Sequence, residues 1–233
     1  FLKTLEEPPP GTCIILVAAS ADGLLPTIVS RCREVRFSSL GKRDIEEYLV
    51  EKEGVPRPEA ERLARLSGGI FGRALLWARA PELAHFWSRG LETAALAHKS
   101  SLLTLLERAR AVQEEVSRVE APAHGEAGEE YLRALDRREA ERLEKRRLEA
   151  LKRENAGIRR RAMFDFLDGM ASFYRDIMLF SVSGTAGDAP LLNLELREEL
   201  EKEALRIGPE EAARRLRALR GAKKALEANV DQG

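Results

Sequence analysis

From Ser39 onward the apolar residues of this 233-residue chain recur at helical spacing almost to its end, which restricts most of it to helix packed on helix. Ile45, Tyr48 and Leu49 share one helical face, closed off by Gly54. Pro58 opens a second helix through Ala60, Leu63, Ala64 and Leu66, and Gly68-Gly69 stops it. Ile70, Ala74, Leu75 and Ala78 mark a third. These three read as a small helical unit over 39–80, followed by a larger all-helical domain over 81–233. Leu83, Phe86 and Trp87 begin one amphipathic helix there. Leu102 to Val116 form another, with Leu102, Leu105, Leu106 and Ala109 expected inward. Ala121-Pro122-Ala123-His124-Gly125 reads as a loop, and a charged helical insert follows over about 129–161. Met163 to Phe180 is the most apolar helix and is expected at the centre of the C-terminal core. Ser181 to Pro190 is expected to be a loop, and Leu194 to Ile207 and Pro209 to Ala228 supply two closing helices.

Residues 1–38 follow a different pattern. Residues 1–7 finish a helix that Pro8-Pro9-Pro10 stops, since proline lacks the donor and restricts the residue before it. Ile14 to Ala19 is apolar on both faces, as expected of a central parallel strand covered by helices. Asp22 is placed to cap a short helix with Leu24, Leu25, Ile28 and Val29 buried, and Arg33 to Phe37 reads as a second strand. The expected fold class is therefore mainly α. It comprises the C-terminal end of an α/β core over 1–38, a three-helix unit and an all-α domain. Because the chain starts at Phe1 inside a helix, it is expected to be a piece of a longer protein.

Composition narrows the function. Basic and acidic residues balance at 39 each, so no global field draws the chain to nucleic acid or membrane. The longest apolar run, Cys13 to Ala19, is too short to span a bilayer, and a cytoplasmic location is expected. Cys13 and Cys32 form no CxxC motif and have no histidine at metal spacing, while His85, His98 and His124 are scattered, so no metal site is expected. There is no glycine-rich phosphate loop, nucleophile elbow or paired-carboxylate site, and Glu6 and Glu7 read as a solvated helix end. No independent catalytic site is expected.

The charged insert carries Arg146-Arg147, Lys152-Arg153 and Arg159-Arg160-Arg161, and these basic runs are one way to meet DNA phosphates. A solvated helix balanced by its own glutamates is the simpler reading, with Glu141–Lys145 and Glu149–Arg153 at favoured i,i+4 spacing. Its leucines at 132, 135, 143, 148 and 151 keep no heptad register. No aromatic residue falls between Tyr131 and Phe164, which argues against base stacking.

The string Leu2-Lys3-Thr4-Leu5-Glu6-Glu7-Pro8-Pro9-Pro10, followed by Leu24-Leu25-Pro26-Thr27-Ile28-Val29-Ser30-Arg31-Cys32, resembles the second half of the AAA+ module of bacterial DNA polymerase III clamp-loader subunits. The resemblance is close over 1–40, looser over 41–80 and architectural beyond. It implies that Arg31, flanked by Ser30 and Cys32, is an arginine finger acting in trans on a neighbour's ATP. A guanidinium keeps its charge and offers a planar fork of donors to phosphate oxygens. The reading from residues alone leaves an alternative, in which Arg31 caps its own helix, where a cation suits the carbonyl end.

The resemblance further implies a lid over 39–80 and a collar over 81–233, in a five-subunit ring within the DNA-directed DNA polymerase III holoenzyme, a nucleotidyltransferase. Implied partners are gamma or tau and delta subunits, with the sliding clamp and primer-template DNA met through the complex, and no membrane. No cofactor is implied within these residues: ATP would be held by neighbours, and a zinc module would lie upstream of Phe1. Two departures stand out. The position of the sensor-2 arginine falls on Gly72, with Arg73 one residue later and about 100° round the helix. The sensor-1 position near Ala18 and Ala19 is apolar. Both point towards subunits of the delta prime kind. The alternatives are a gamma or tau ATPase subunit, or a helical scaffold or DNA-binding protein with a degenerate AAA+ remnant.

Overall fold

The computed structural model describes residues 4–5, 7–18, 20–120, 137–183 and 190–228, and the chain divides into two units, Phe1–Ser39 and Leu40–Gly233. The first three residues of the expected opening helix, Glu6, Ala19, the expected loop 121–125, residues 129–136 of the charged insert and 184–189 fall outside the described residues.

In the first unit, Ser20 rather than Asp22 caps the turn ahead of the helix. Its Oγ accepts from the Asp22 N–H at 3.1 Å, over a 3-10 turn at Ala21–Gly23. Helix α1, Pro26–Val29, follows with Pro26 in its first turn, where the fixed φ suits a helix start. The two expected strands are not formed. Residues 12–18 and 33–40 carry no regular secondary structure, and Ile15, Val17 and Phe37 are 82%, 94% and 94% exposed. The cause is the nature of a strand, which exists only through ladder bonds to a neighbour. No ladder is present among the described residues.

The second unit is all helix. Helix α2, Lys42–Glu53, ends at Gly54, whose φ of 68° is the left-handed conformation that closes a helix. Helices α3, Arg57–Leu66, and α4, Phe71–Arg79, complete a three-helix group. Helix α5, Pro81–Leu96, leads to α6, Leu102–Ser117, where the Ser101 Oγ accepts from the Thr104 N–H at 3.2 Å. Helix α7 runs for 47 residues, Arg137–Ser183, straight through Asn155-Ala156-Gly157. After a 3-10 turn at Leu194–Leu196 comes α8, Arg197–Ala228. It is broken where Gly208, at φ 75° and ψ 164°, precedes Pro209.

Two cores lie along α7. The first takes Ile45 and Leu49 from α2, Leu63 from α3 and Trp77 from α4. It also takes Phe86 and Trp87 from α5, Val112 and Val116 from α6, and Ala162 and Phe166 from α7. The three-helix group therefore shares a core with the helices after it. The second joins Ala94, Phe173, Ile177, Phe180, Leu191, Leu200 and Ala212. Between the cores α5 and α7 cross at closest approach. A Cβ on Gly90 would sit 1.9 Å from the Phe166 carbonyl oxygen, and one on Gly169 would sit 2.2 Å from that of Trp87.

Helix α6 is turned differently from expectation. Leu102, Leu103 and Leu106 are exposed, as is Ala109, and the inward residues are Val112 and Val116 with Leu105 half-buried. The helix is anchored at its C-terminal end, where the Arg159 Nε donates to the Val119 carbonyl at 2.9 Å. That anchor, together with the core contacts of Val112 and Val116, decides which face is covered.

Candidate functional site

Arg31 stands just past α1, on a tight turn in which its own N–H bonds the Ile28 carbonyl at 3.1 Å and the Cys32 N–H bonds that of Val29 at 3.2 Å. The side chain is exposed. Its Nη1 donates to the Thr27 carbonyl at 3.0 Å, and the Ser30 Oγ donates to the same oxygen at 3.3 Å. Capping and outward presentation therefore coexist. A helix end has carbonyls without helical partners, and a cation suits them. The turn around Ser30, Arg31 and Cys32 thus holds the base of an exposed cation with local bonds to Thr27, Ile28 and Val29. Cys32 and Cys13 are free thiols, both exposed.

Gly72 and Arg73 occupy opposite situations. Gly72 is exposed, and a Cβ there would meet nothing within 4 Å. Arg73 is 8% exposed and committed to the interior. Its Nε lies 3.4 Å from the Asp165 Oδ1, its Nη2 pairs with the Asp168 Oδ2, and its guanidinium stands 5.7 Å from the rings of both Trp77 and Trp87. The Trp77 Nε1 donates to the Asp165 Oδ2 at 2.9 Å, and the Arg161 Nε lies 3.3 Å from the Asp165 Oδ1. The Lys223 Nζ closes the group on Asp168 at 2.9 and 3.0 Å. Burial pushes the Asp165 carboxyl above its ordinary value, against the Trp77 hydrogen bond and the Arg161 and Arg73 charges. Arg73 is thus a bolt between α4, α7 and, through Asp168, α8.

Sequence reasoning passed over Asp165 and Asp168. The signal was there: two carboxylates three residues apart inside the most apolar helix, where an ionised side chain needs partners. Asp176 gives the same signal. Fully buried, it accepts from the backbone N–H groups of Leu192 and Asn193 at 3.1 and 2.9 Å, pinning the returning chain. Among the described residues no three of His, Cys, Asp or Glu converge to hold a metal ion, and no helix is long and apolar enough to cross a membrane.

The family match falls on the part of the chain that carries Arg31. Residues 1–41 match the family described as DNA polymerase III, delta subunit. The chain resembles a bacterial DNA polymerase III clamp-loader subunit. In particular it is similar to DNA polymerase III subunit delta prime of Bacillus subtilis (strain 168), with 36% identity over 70 residues. That stretch is 30% of this chain and spans 21% of the relative's length. No solved structure matches the chain.

Proposed function

We propose that this chain is part of a delta prime-like subunit of the DNA polymerase III clamp loader and supplies Arg31 in trans to an ATP site on an adjacent gamma or tau subunit. The observation that carries the reading is the exposed Arg31 at the end of α1, within the stretch related to the delta-subunit family. In this reading the chain holds no nucleotide itself, and Arg31 stabilises charge developing on the transferred phosphoryl group. Arginine fingers contribute about 10³–10⁵ in rate in other phosphoryl-transfer systems. Hydrolysis by the ring then leaves the sliding clamp on primed DNA. The location is cytoplasmic, with gamma or tau and delta as direct partners.

The test is Arg31→Ala and Arg31→Lys in the full-length subunit, reconstituted with its ring. Ring assembly and melting temperature are expected to hold, because the exposed side chain leaves no cavity. Clamp- and DNA-stimulated ATP turnover is expected to collapse at the neighbouring site, with poor rescue by lysine, whose point charge lacks the planar fork. An alanine variant that melts early and hydrolyses ATP normally would reduce Arg31 to a helix cap.

A further inference from the structure

We propose that the outward face of α7 between Arg142 and Arg160 is a binding surface for the phosphate backbone of double-stranded nucleic acid. At 100° per residue, Arg142, Lys145, Arg146, Lys152, Arg153 and Arg160 fall within an arc of about 120°. Glu149 is the one acidic residue in that arc. All six cations are exposed, and among the described residues none of them makes a hydrogen bond or ion pair. The expected Glu149–Arg153 pair is not formed among the described residues. Exposed i,i+4 pairs are worth only about 0.3–0.5 kcal/mol and give way readily to hydration. Glu144 and Glu154 project from other sides of the helix, and Glu141 lies about 20° beyond one edge of the arc. Over 141–160 the segment carries eight cations against four carboxylates, although the whole chain is balanced.

The fold keeps this surface open to solvent. Every residue from Glu141 to Arg153 is exposed, whereas Ala162, Asp165 and Phe166, further along α7, are buried against α4, α5 and α6 on another side of the helix. The stripe spans 19 residues, about 27 Å end to end at the helical rise. That is long enough to run past about eight phosphates of one strand at 3.4 Å each. Its composition selects the partner. A protein interface depends on a few aromatic or apolar anchors in desolvated pockets, and the basic arc offers none. Stacking on single-stranded bases needs aromatic rings, and this half of α7 has none. A row of hydrated point charges and guanidinium forks suits a regularly spaced polyanion, bound by counterion release without sequence preference. This surface involves residues of this chain alone and stands apart from the role proposed for Arg31.

The experiment compares three forms of the chain by fluorescence anisotropy with a labelled 20-base-pair DNA duplex, between 50 and 300 mM salt. The forms are the parent, the quadruple variant R142Q/R146Q/R153Q/R160Q, and a control of equal charge change, R43Q/R57Q/R110Q/R217Q, at exposed arginines elsewhere. The parent is expected to bind, with log K falling linearly against log salt. The stripe variant is expected to bind at least tenfold more weakly, with a slope flatter by about 3–4, since each phosphate that is no longer neutralised removes about 0.9. Circular dichroism should show parent-like helicity in both variants. Equal weakening in the control, unchanged slope in the stripe variant, or no duplex binding by the parent at 50 mM salt overturns the proposal. So does stripe-dependent capture of a polyglutamate probe without capture of the duplex, which would assign the face to an acidic protein.

Discussion

Asp165 is fully buried between an indole N–H and two guanidinium groups, and its chemistry separates hydrogen bonding from charge. Burial raises its pKa above the ordinary 3.8, so between those two values the folded chain binds more protons than the unfolded one. The contribution of this carboxyl to stability therefore falls as pH rises from about 3.8 through the raised value, and is level above it. Asp165→Asn removes that slope while keeping an acceptor for Trp77. Its stability relative to the parent is expected to improve across that window, as read by urea melts at a series of pH values. Asp165→Ala leaves the Trp77 N–H unsatisfied and is expected to cost about 1–3 kcal/mol at neutral pH.

Among the elements, the crossing of α5 and α7 depends on two glycines whose missing side chains let backbone meet backbone. Gly90→Ala and Gly169→Ala each force the helices apart against carbonyl groups that cannot rotate away. Each is expected to destabilise the chain by about 1–3 kcal/mol or more. At about 2–4 °C per kcal/mol, calorimetry should show a clear fall in melting temperature. Helix α6 supplies the reverse case. Leu103→Gln is expected to stay within about 0.5 kcal/mol of the parent, because the side chain already faces water. Val112→Ala should cost about 1.5 kcal/mol through the removal of two buried carbons. The apolar pattern of α6 marks both faces alike, so its sequence did not choose between them. The Arg159 anchor and the core beyond it did.

At the scale of the whole molecule, Arg73 ties the three-helix group to α7 and, through Asp168 and Lys223, to the last helix. Arg73→Ala takes away the charge that faces Asp165 and Asp168 and the cation between two tryptophans. The expected cost is about 3–5 kcal/mol, the usual consequence of breaking a buried pair on one side. Hydrogen exchange should report it locally, with the amides of Phe71–Arg79 losing protection first. An unaltered exchange profile would show that the apolar core alone holds α4 in place.

What the sequence determined by itself is what depends on near neighbours. Helical bonds run from i to i−4, so apolar spacing, Gly54 and the Gly208-Pro209 break placed helices and their ends without reference to the rest of the chain. The turn that raises Arg31 is equally local, since its backbone bonds reach back to Ile28 and Val29 and the Arg31 Nη1 bonds the Thr27 carbonyl. Tertiary structure decided everything that needs a distant partner. The apolar run at 14–18 reads as a strand and forms none, because a ladder must come from another segment. Arg73 reads as a misplaced nucleotide contact, yet it is a buried bolt, because Asp168 lies 95 residues away on α7 and Lys223 a further 55 residues on. Charge and burial are properties of neighbourhoods, and these neighbourhoods are assembled only when the helices pack.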